Sequence, residues 1–139
     1  MNAIDTNVFV YALDADEPAK QAQAIALLDQ LSPHPSQTVL LWQVAGEFLS
    51  CLRMWKSAGK IAAADVEANL MDLLDTFPLI LPAQAVLERS LDLSGRYSLS
   101  HWDSMLIAAC LEAGVDTLYT EDMDAGTTFD SLQLVNPFA

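Results

Sequence analysis

Short apolar runs recur along this chain between longer amphipathic stretches, and that alternation constrains the fold more than any other feature of the sequence. The approach to Ile4, Thr38–Trp42, Leu79–Leu81 between two prolines, Val115–Thr120 and Leu132–Val135 are all too short for a stable helix. Runs of this length suit strands buried on both faces. Between them lie residues at helical spacing: Ala22, Ile25, Leu28 and Leu31; then Val44, Phe48, Cys51, Leu52 and Trp55; then Val66, Leu70, Leu73, Leu74 and Phe77. Ala83–Tyr97 predicts a further helix through Val86, Leu87 and Leu91, and Ser100–Gly114 carries Trp102, Leu106, Ala109, Cys110 and Ala113 on one face. Asp14–Pro18 and Ser32–Gln37 read as loops, and Gly126–Phe129 as a helical turn. Strands alternating with helices predict an α/β domain over residues 1–139, with a mainly parallel sheet and helices on both faces.

In such folds ligands bind outside the carboxyl ends of the strands, so the residues at those ends matter most. Asp5 follows the first strand at a sharp junction with Thr6 and Asn7. Glu47 stands one turn into the helix after Thr38–Trp42, on the margin of its apolar face. Asp103 occupies the first turn of the helix opened by Ser100, and Thr120-Glu121-Asp122 closes the strand from Val115. Each acid also has a purely structural reading. Asp5 suits a helix cap, Glu47 a first-turn acid favoured by the helix dipole, and Ser100 with Asp103 a capping box with Asp in place of Glu or Gln. Capping alone explains poorly why all four should recur in equivalent places. Asp5, Glu47, Asp103 and Asp122 are expected to converge on one edge of the sheet, with Asp124 a possible fifth acid.

Four carboxylates with no accompanying His or Cys make an all-oxygen site, which suits Mg²⁺ or Mn²⁺ over zinc. A cation held there would orient a water, lower its pKa and stabilise charge on a phosphoryl group. The charge balance agrees. With 19 Asp and Glu against six Lys and Arg, the chain lacks the basic coat of a nonspecific nucleic-acid binder, but phosphate can still be gripped through a metal. Arg53, Lys56 and Lys60 form a stripe turned away from Glu47 and read as a solvated face. At 53% hydrophobic residues the chain is expected to be folded. No apolar run nears the ~20 residues of a membrane span, and Met1–Tyr11 has no basic start, so a cytoplasmic protein is expected. Cys51 and Cys110 read as small hydrophobes in a reducing compartment.

Ile4-Asp5-Thr6-Asn7, Trp42-Gln43-Val44 leading to Glu47-Phe48, His101-Trp102-Asp103-Ser104 and Thr120-Glu121-Asp122 occur in that order over essentially the whole chain. Together they resemble a PIN domain, in particular a VapC-type toxin ribonuclease of a type II toxin–antitoxin pair. The resemblance implies a three-layer α/β/α fold, metal-dependent endoribonuclease activity with RNA as substrate, homodimerisation, and neutralisation by a VapB-like antitoxin. Carried over by position, it makes Asp5, Glu47, Asp103 and Asp122 the acidic metal-site residues and Thr6, Asn7 and Thr120 their polar supports. Two positions depart from the family pattern: Trp42 stands where a small polar residue is frequent, and Ser104 where Ala is common. Both bear on substrate access and leave the acids intact.

Two other readings belong beside this one. A Mg²⁺-dependent phosphatase using an aspartyl-phosphate would carry a paired Asp-x-Asp after the first strand, whereas Thr6-Asn7 follows Asp5. A non-catalytic PIN-like binding module would keep the fold without the cleavage.

Overall fold

The structure is a computed structural model that describes all residues, 1–139. Six strands, β1 (Asn2–Ile4), β2 (Thr38–Leu41), β3 (Leu79–Ile80), β4 (Thr117–Tyr119), β5 (Thr128–Phe129) and β6 (Leu132–Val135), form one sheet in the order β3-β2-β1-β4-β6-β5. All neighbouring pairs are parallel except β5 with β6. Helices α1 (Thr6–Leu13), α2 (Pro18–Leu31), α3 (Trp42–Ser57), α4 (Ala63–Thr76), α5 (Gln84–Arg96) and α6 (His101–Glu112) cover it. The expected mainly parallel α/β architecture is therefore present.

The topology itself points to the site. From β1 the chain builds outward through β2 to β3, then returns to place β4 on the other flank of β1. This reversal of strand order opens a crevice between β1 and β4 at their carboxyl ends. Asp5 leaves β1 on one side of it and Thr120 leaves β4 on the other; the Asp5 N–H donates to the Tyr119 carbonyl at 2.8 Å. Beneath the crevice lies a core of 27 buried apolar residues, including Ala3, Ile4, Leu40, Ile107 and Leu118. Ala3 and Leu118 have no exposed surface, as expected for central strands sandwiched between helix layers.

Several local expectations need correction. β2 ends at Leu41, and Trp42 begins α3 with 55% of its surface exposed. Leu79–Leu81 is not a buried strand: β3 has only two residues at the sheet edge, and Leu81 is 67% exposed. The buried stripe of α2 is Ala24, Leu27 and Leu31, with Ile25 outside it. In α5 the buried positions are Val86, Ser90 and Leu93, leaving Leu87 and Leu91 exposed. α6 buries Ser104, Leu106, Ile107, Ala108 and Cys110, while Trp102 points outward. Periodicity fixes the helices in these cases but not the face each turns inward, because apolar residues occupy more than one face. Gly126–Phe129 contains no helical turn; Thr128 and Phe129 pair with Gln133 and Leu132 as a β-hairpin, turned by Asp130 at φ 52°. Lys60 does not share a solvated stripe with Arg53 and Lys56. It folds back over the Trp55 ring at 4.2 Å and pairs with Asp14 at 2.8 Å. No helix is long and apolar enough to cross a membrane, and both cysteines are free.

Candidate active site

Asp5 is the innermost acid of the crevice, 5% exposed. Its backbone is still extended as the chain leaves β1, which makes it the cap of α1: Oδ1 accepts the Thr6 N–H at 2.7 Å. Its other oxygen, Oδ2, accepts the Thr120 hydroxyl at 2.8 Å from across the crevice. The capping reading is thus correct for Asp5, and each oxygen accepts one bond and keeps capacity for another. Thr120 Oγ1 also accepts the Asp122 N–H at 3.0 Å, so one buried hydroxyl ties the exits of β1 and β4 together.

Glu47 and Asp122 reach the same place from either side. The Thr6 hydroxyl donates to Glu47 Oε2 at 2.8 Å, and the Gln43 amide, one turn earlier on α3, donates to Oε1 at 3.0 Å. The Asn7 amide donates to Asp122 Oδ2 at 3.3 Å. Thr6 therefore bonds to Asp5 and Glu47, Thr120 to Asp5 and Asp122, and Asn7 to Asp122 alone. Asp103 sits half-buried in the first turn of α6, where its N–H donates to Ser100 Oγ at 3.2 Å. Its carboxylate makes no hydrogen bond, and the reciprocal half of a capping box is missing. The helix is tied to Glu47 through Gln43, whose amide also donates to the Trp102 carbonyl at 3.3 Å. Asp124 is exposed, and its carboxylate bonds to none of the others.

The electrostatics are those of acids crowded without cations. Burial pushes the Asp5 carboxyl up from 3.8 to about 6; the bonds from Thr120 and Thr6 oppose the rise, and the charges of Glu47 and Asp122 add to it. All side-chain cations that form ion pairs do so elsewhere: Lys20 with Glu121, Lys60 with Asp14 and Asp16, Arg89 with Glu112, and Arg96 with Asp92 and Asp130. The wholly buried Cys110 thiol of α6 is raised by burial and then by the charge of Asp5, so it is an inert core group.

A hard divalent cation fits the chemistry of this donor set: carboxylate oxygens with no imidazole or thiolate among them. Asn7 Oδ1 is buried without a hydrogen-bond partner, while the amide nitrogen of the same side chain donates to Asp122. The side chains as placed do not form a closed cage, since no three Asp, Glu, His or Cys groups stand together in ligand geometry. Thr6, Gln43 and Asn7 instead hold Glu47 and Asp122 at the rim.

Two features escaped the sequence reading. The first is a clamp behind the β4 exit. Tyr11 Oη donates to Glu121 Oε1 at 2.6 Å, and Lys20 Nζ donates to Glu121 Oε2 at 2.9 Å while lying 4.7 Å from the centre of the Tyr11 ring. Burial would raise the Glu121 carboxyl, but these two bonds outweigh it and hold it below its ordinary value. Met123, two residues on, takes a left-handed φ of 62°, an uncommon conformation for a side chain of its size. Spacing gave no signal for a clamp assembled from α1, α2 and a loop. The second is a cleft of about 670 Å³ running from Glu47 between α3, α5 and α6, with Trp42 and Trp102 among its walls.

Comparison with known proteins places this geometry in context. The PIN domain family profile matches residues 3–129. No curated protein sequence gives a significant match. Among solved structures, a toxin–antitoxin complex from Klebsiella pneumoniae is similar at a TM-score of 0.66 and 20% identity, covering 99% of this chain and 98% of that one. Mycobacterium tuberculosis VapC20, described as a sarcin–ricin loop cleaving toxin, is similar at 0.66 and 19% identity, with coverage of 89% and 92%. VapBC2 from Rickettsia felis, bound to a promoter DNA fragment, is similar at 0.69 and 14% identity, with coverage of 96% for both chains. At these identities the likeness is one of fold.

Proposed function

The chain belongs to the PIN domain family, and from that premise we propose that it is a metal-dependent endoribonuclease, the toxin of a VapC-type toxin–antitoxin pair. The observation that carries the reading is the placement of buried Asp5 between Glu47 and Asp122, with no side-chain cation bonded to any of them. Asp5 and Asp103 would contact a Mg²⁺ or Mn²⁺ most directly, and Glu47 and Asp122 would complete the pocket through the metal or water. When bound, the ion supplies an activated water and stabilises charge on the phosphodiester.

The chain's own residues orient that chemistry. Thr120 fixes the Asp5 carboxylate against β4 and holds the turn bearing Asp122. Thr6 and Gln43 engage both oxygens of Glu47, which sets its plane before substrate arrives. Asn7 keeps Asp122 turned toward the crevice. Such preorganisation reduces the rearrangement left to the reaction itself.

On this reading the protein is cytoplasmic, acts as one PIN unit over 1–139, forms a homodimer, and is neutralised by a VapB-like antitoxin whose basic segment meets the acidic crevice. The solved neighbours that are toxin–antitoxin complexes support the partner class. A non-catalytic PIN-like binding module is the second reading, favoured by the absence of three acids in ligand geometry. Incubating the purified chain with a mixed RNA pool in Mg²⁺ or Mn²⁺ separates the two. Cleavage that EDTA stops supports the nuclease, whereas capture of a protein partner without cleavage by the folded chain supports the module.

A further inference from the structure

Two adjacent acids follow β4, and different partners hold them. Glu121 is taken by α1 and α2, through Tyr11 Oη at 2.6 Å and Lys20 Nζ at 2.9 Å, whereas Asp122 accepts the Asn7 amide at 3.3 Å. Asn7 and Tyr11 stand one turn apart on α1, so a single helix receives both carboxylates. Asp5 is fixed to the start of that same helix, which it caps through the Thr6 N–H at 2.7 Å. One eight-residue element therefore sets the positions of Asp5 and Asp122 relative to each other.

The grip on Glu121 is more than one surface ion pair. Both of its oxygens are engaged, Lys20 Nζ also donates to Tyr11 Oη at 3.2 Å, and the Phe138 ring meets the Tyr11 ring edge to face at 5.1 Å. Residues from α1, α2, the β4 exit and the chain beyond β6 thus converge on one point. Directly after Asp122, Met123 is held at φ 62°, and a backbone of that kind persists only where its surroundings determine it. Glu121 gripped in this way is withheld from the crevice. We propose that Tyr11, Lys20 and Glu121 form a positioning clamp that selects Asp122, in place of its neighbour Glu121, as the cation-binding acid after β4 and fixes it relative to Asp5. This rests on the metal-dependent reading of the crevice and gives residues outside that crevice a part in cation affinity. The clamp residues touch neither cation nor substrate; they act through Asp122.

Titration calorimetry of the full chain with Mn²⁺, without RNA, tests the clamp in Tyr11→Phe, Lys20→Met and Lys20→Arg, each repeated in an Asp122→Asn background where Asp5, Glu47 and Asp103 leave a weakened site to measure. Near-UV circular dichroism checks that every variant is folded. Tyr11→Phe removes only the donor hydroxyl and leaves the charge and the Phe138 contact in place. Lys20→Met removes a cation, which through space alone would tighten Mn²⁺ binding. A positioning clamp gives the opposite sign: about tenfold weaker binding in both variants, recovery in Lys20→Arg, and no further loss once Asp122 is asparagine, because residues that act through one another are non-additive. Unchanged affinity in Tyr11→Phe and Lys20→Met, or tighter binding in Lys20→Met, overturns the proposal. So does equal weakening with and without the Asp122 carboxylate, which marks a general loosening of the fold. Timed RNA cleavage on the same proteins keeps the two readings apart. Weakened Mn²⁺ binding of this pattern with no cleavage by the wild type sinks the nuclease reading and keeps the clamp; EDTA-sensitive cleavage with unaltered Mn²⁺ affinity in the variants does the reverse. A folded wild type that binds no Mn²⁺ overturns both.

Discussion

Asp5→Asn should make the metal-free protein more stable at neutral pH while ending its activity. Burial raises the Asp5 carboxyl from 3.8 to about 6. Between those values the native state holds a proton that the unfolded chain has released, so stability is fully present below about 3.8, falls as the pH rises, and levels off above about 6. At about 1.36 kcal/mol per unit, a rise of about two units corresponds to a cost on the order of 3 kcal/mol at pH 7.5. Asparagine removes that cost and keeps an oxygen to accept the Thr6 N–H. It presents an amide donor to the Thr120 hydroxyl in place of an acceptor, which forfeits a bond worth about 1 kcal/mol. The net gain is on the order of 2 kcal/mol, or about 6 °C in Tm for a chain of this size. Thermal unfolding in EDTA at pH 7.5 and pH 4 checks it: the variant should melt higher at pH 7.5 and lose that advantage at pH 4, where wild-type Asp5 is also neutral. Added Mg²⁺ should raise the wild-type Tm more than that of the variant. A variant that melts below wild type at pH 7.5, or a difference indifferent to pH, would refute the reasoning.

Three further outcomes follow from the same geometry. Lys20→Met releases Glu121 from its ion pair; because both partners are partly exposed, the stability loss should be small, yet RNA cleavage should drop several-fold as the turn bearing Asp122 loosens, as timed cleavage assays at matched protein concentration would reveal. Leu118→Ala opens a cavity in the central strand β4, where the side chain is fully buried, and should cost about 2–5 kcal/mol in denaturant unfolding. If the antitoxin proposed above meets the crevice with a basic segment, its affinity should fall as salt rises, since the chain's formal net charge is −13; a salt-independent dissociation constant would count against a charge-led interface.

The alternation of apolar runs with helical periodicity was enough to predict the layered, mainly parallel sheet, because that pattern has few packing solutions. The same pattern placed Asp5 and Asp122 at the ends of β1 and β4. What it could not reveal depended on rotation and on distant contacts. Leu87, Leu91 and Trp102 are apolar and suggest inward faces, but Ser90, Leu93 and Ser104 occupy those faces instead. Leu81 follows an edge strand too short to bury it. The clamp of Tyr11, Lys20 and Glu121 joins residues about a hundred positions apart in sequence, and no local spacing announces such a contact. The hairpin at Thr128–Phe129 was hidden for a related reason: Asp130, not a glycine, supplies its left-handed turn.

If one acidic crevice acts through a divalent ion, Asp103 is its most exacting member, because its carboxylate makes no hydrogen bond to any residue that holds the other acids. The most direct measurement is cleavage of a mixed RNA pool in Mg²⁺ or Mn²⁺ by wild-type protein and by Asp103→Asn, each shown to be folded and free of partner, with EDTA added in a parallel arm. Wild-type protein should cleave in a manner that EDTA abolishes, and Asp103→Asn should not cleave. Equal cleavage by the variant, or cleavage that survives EDTA, would contradict it.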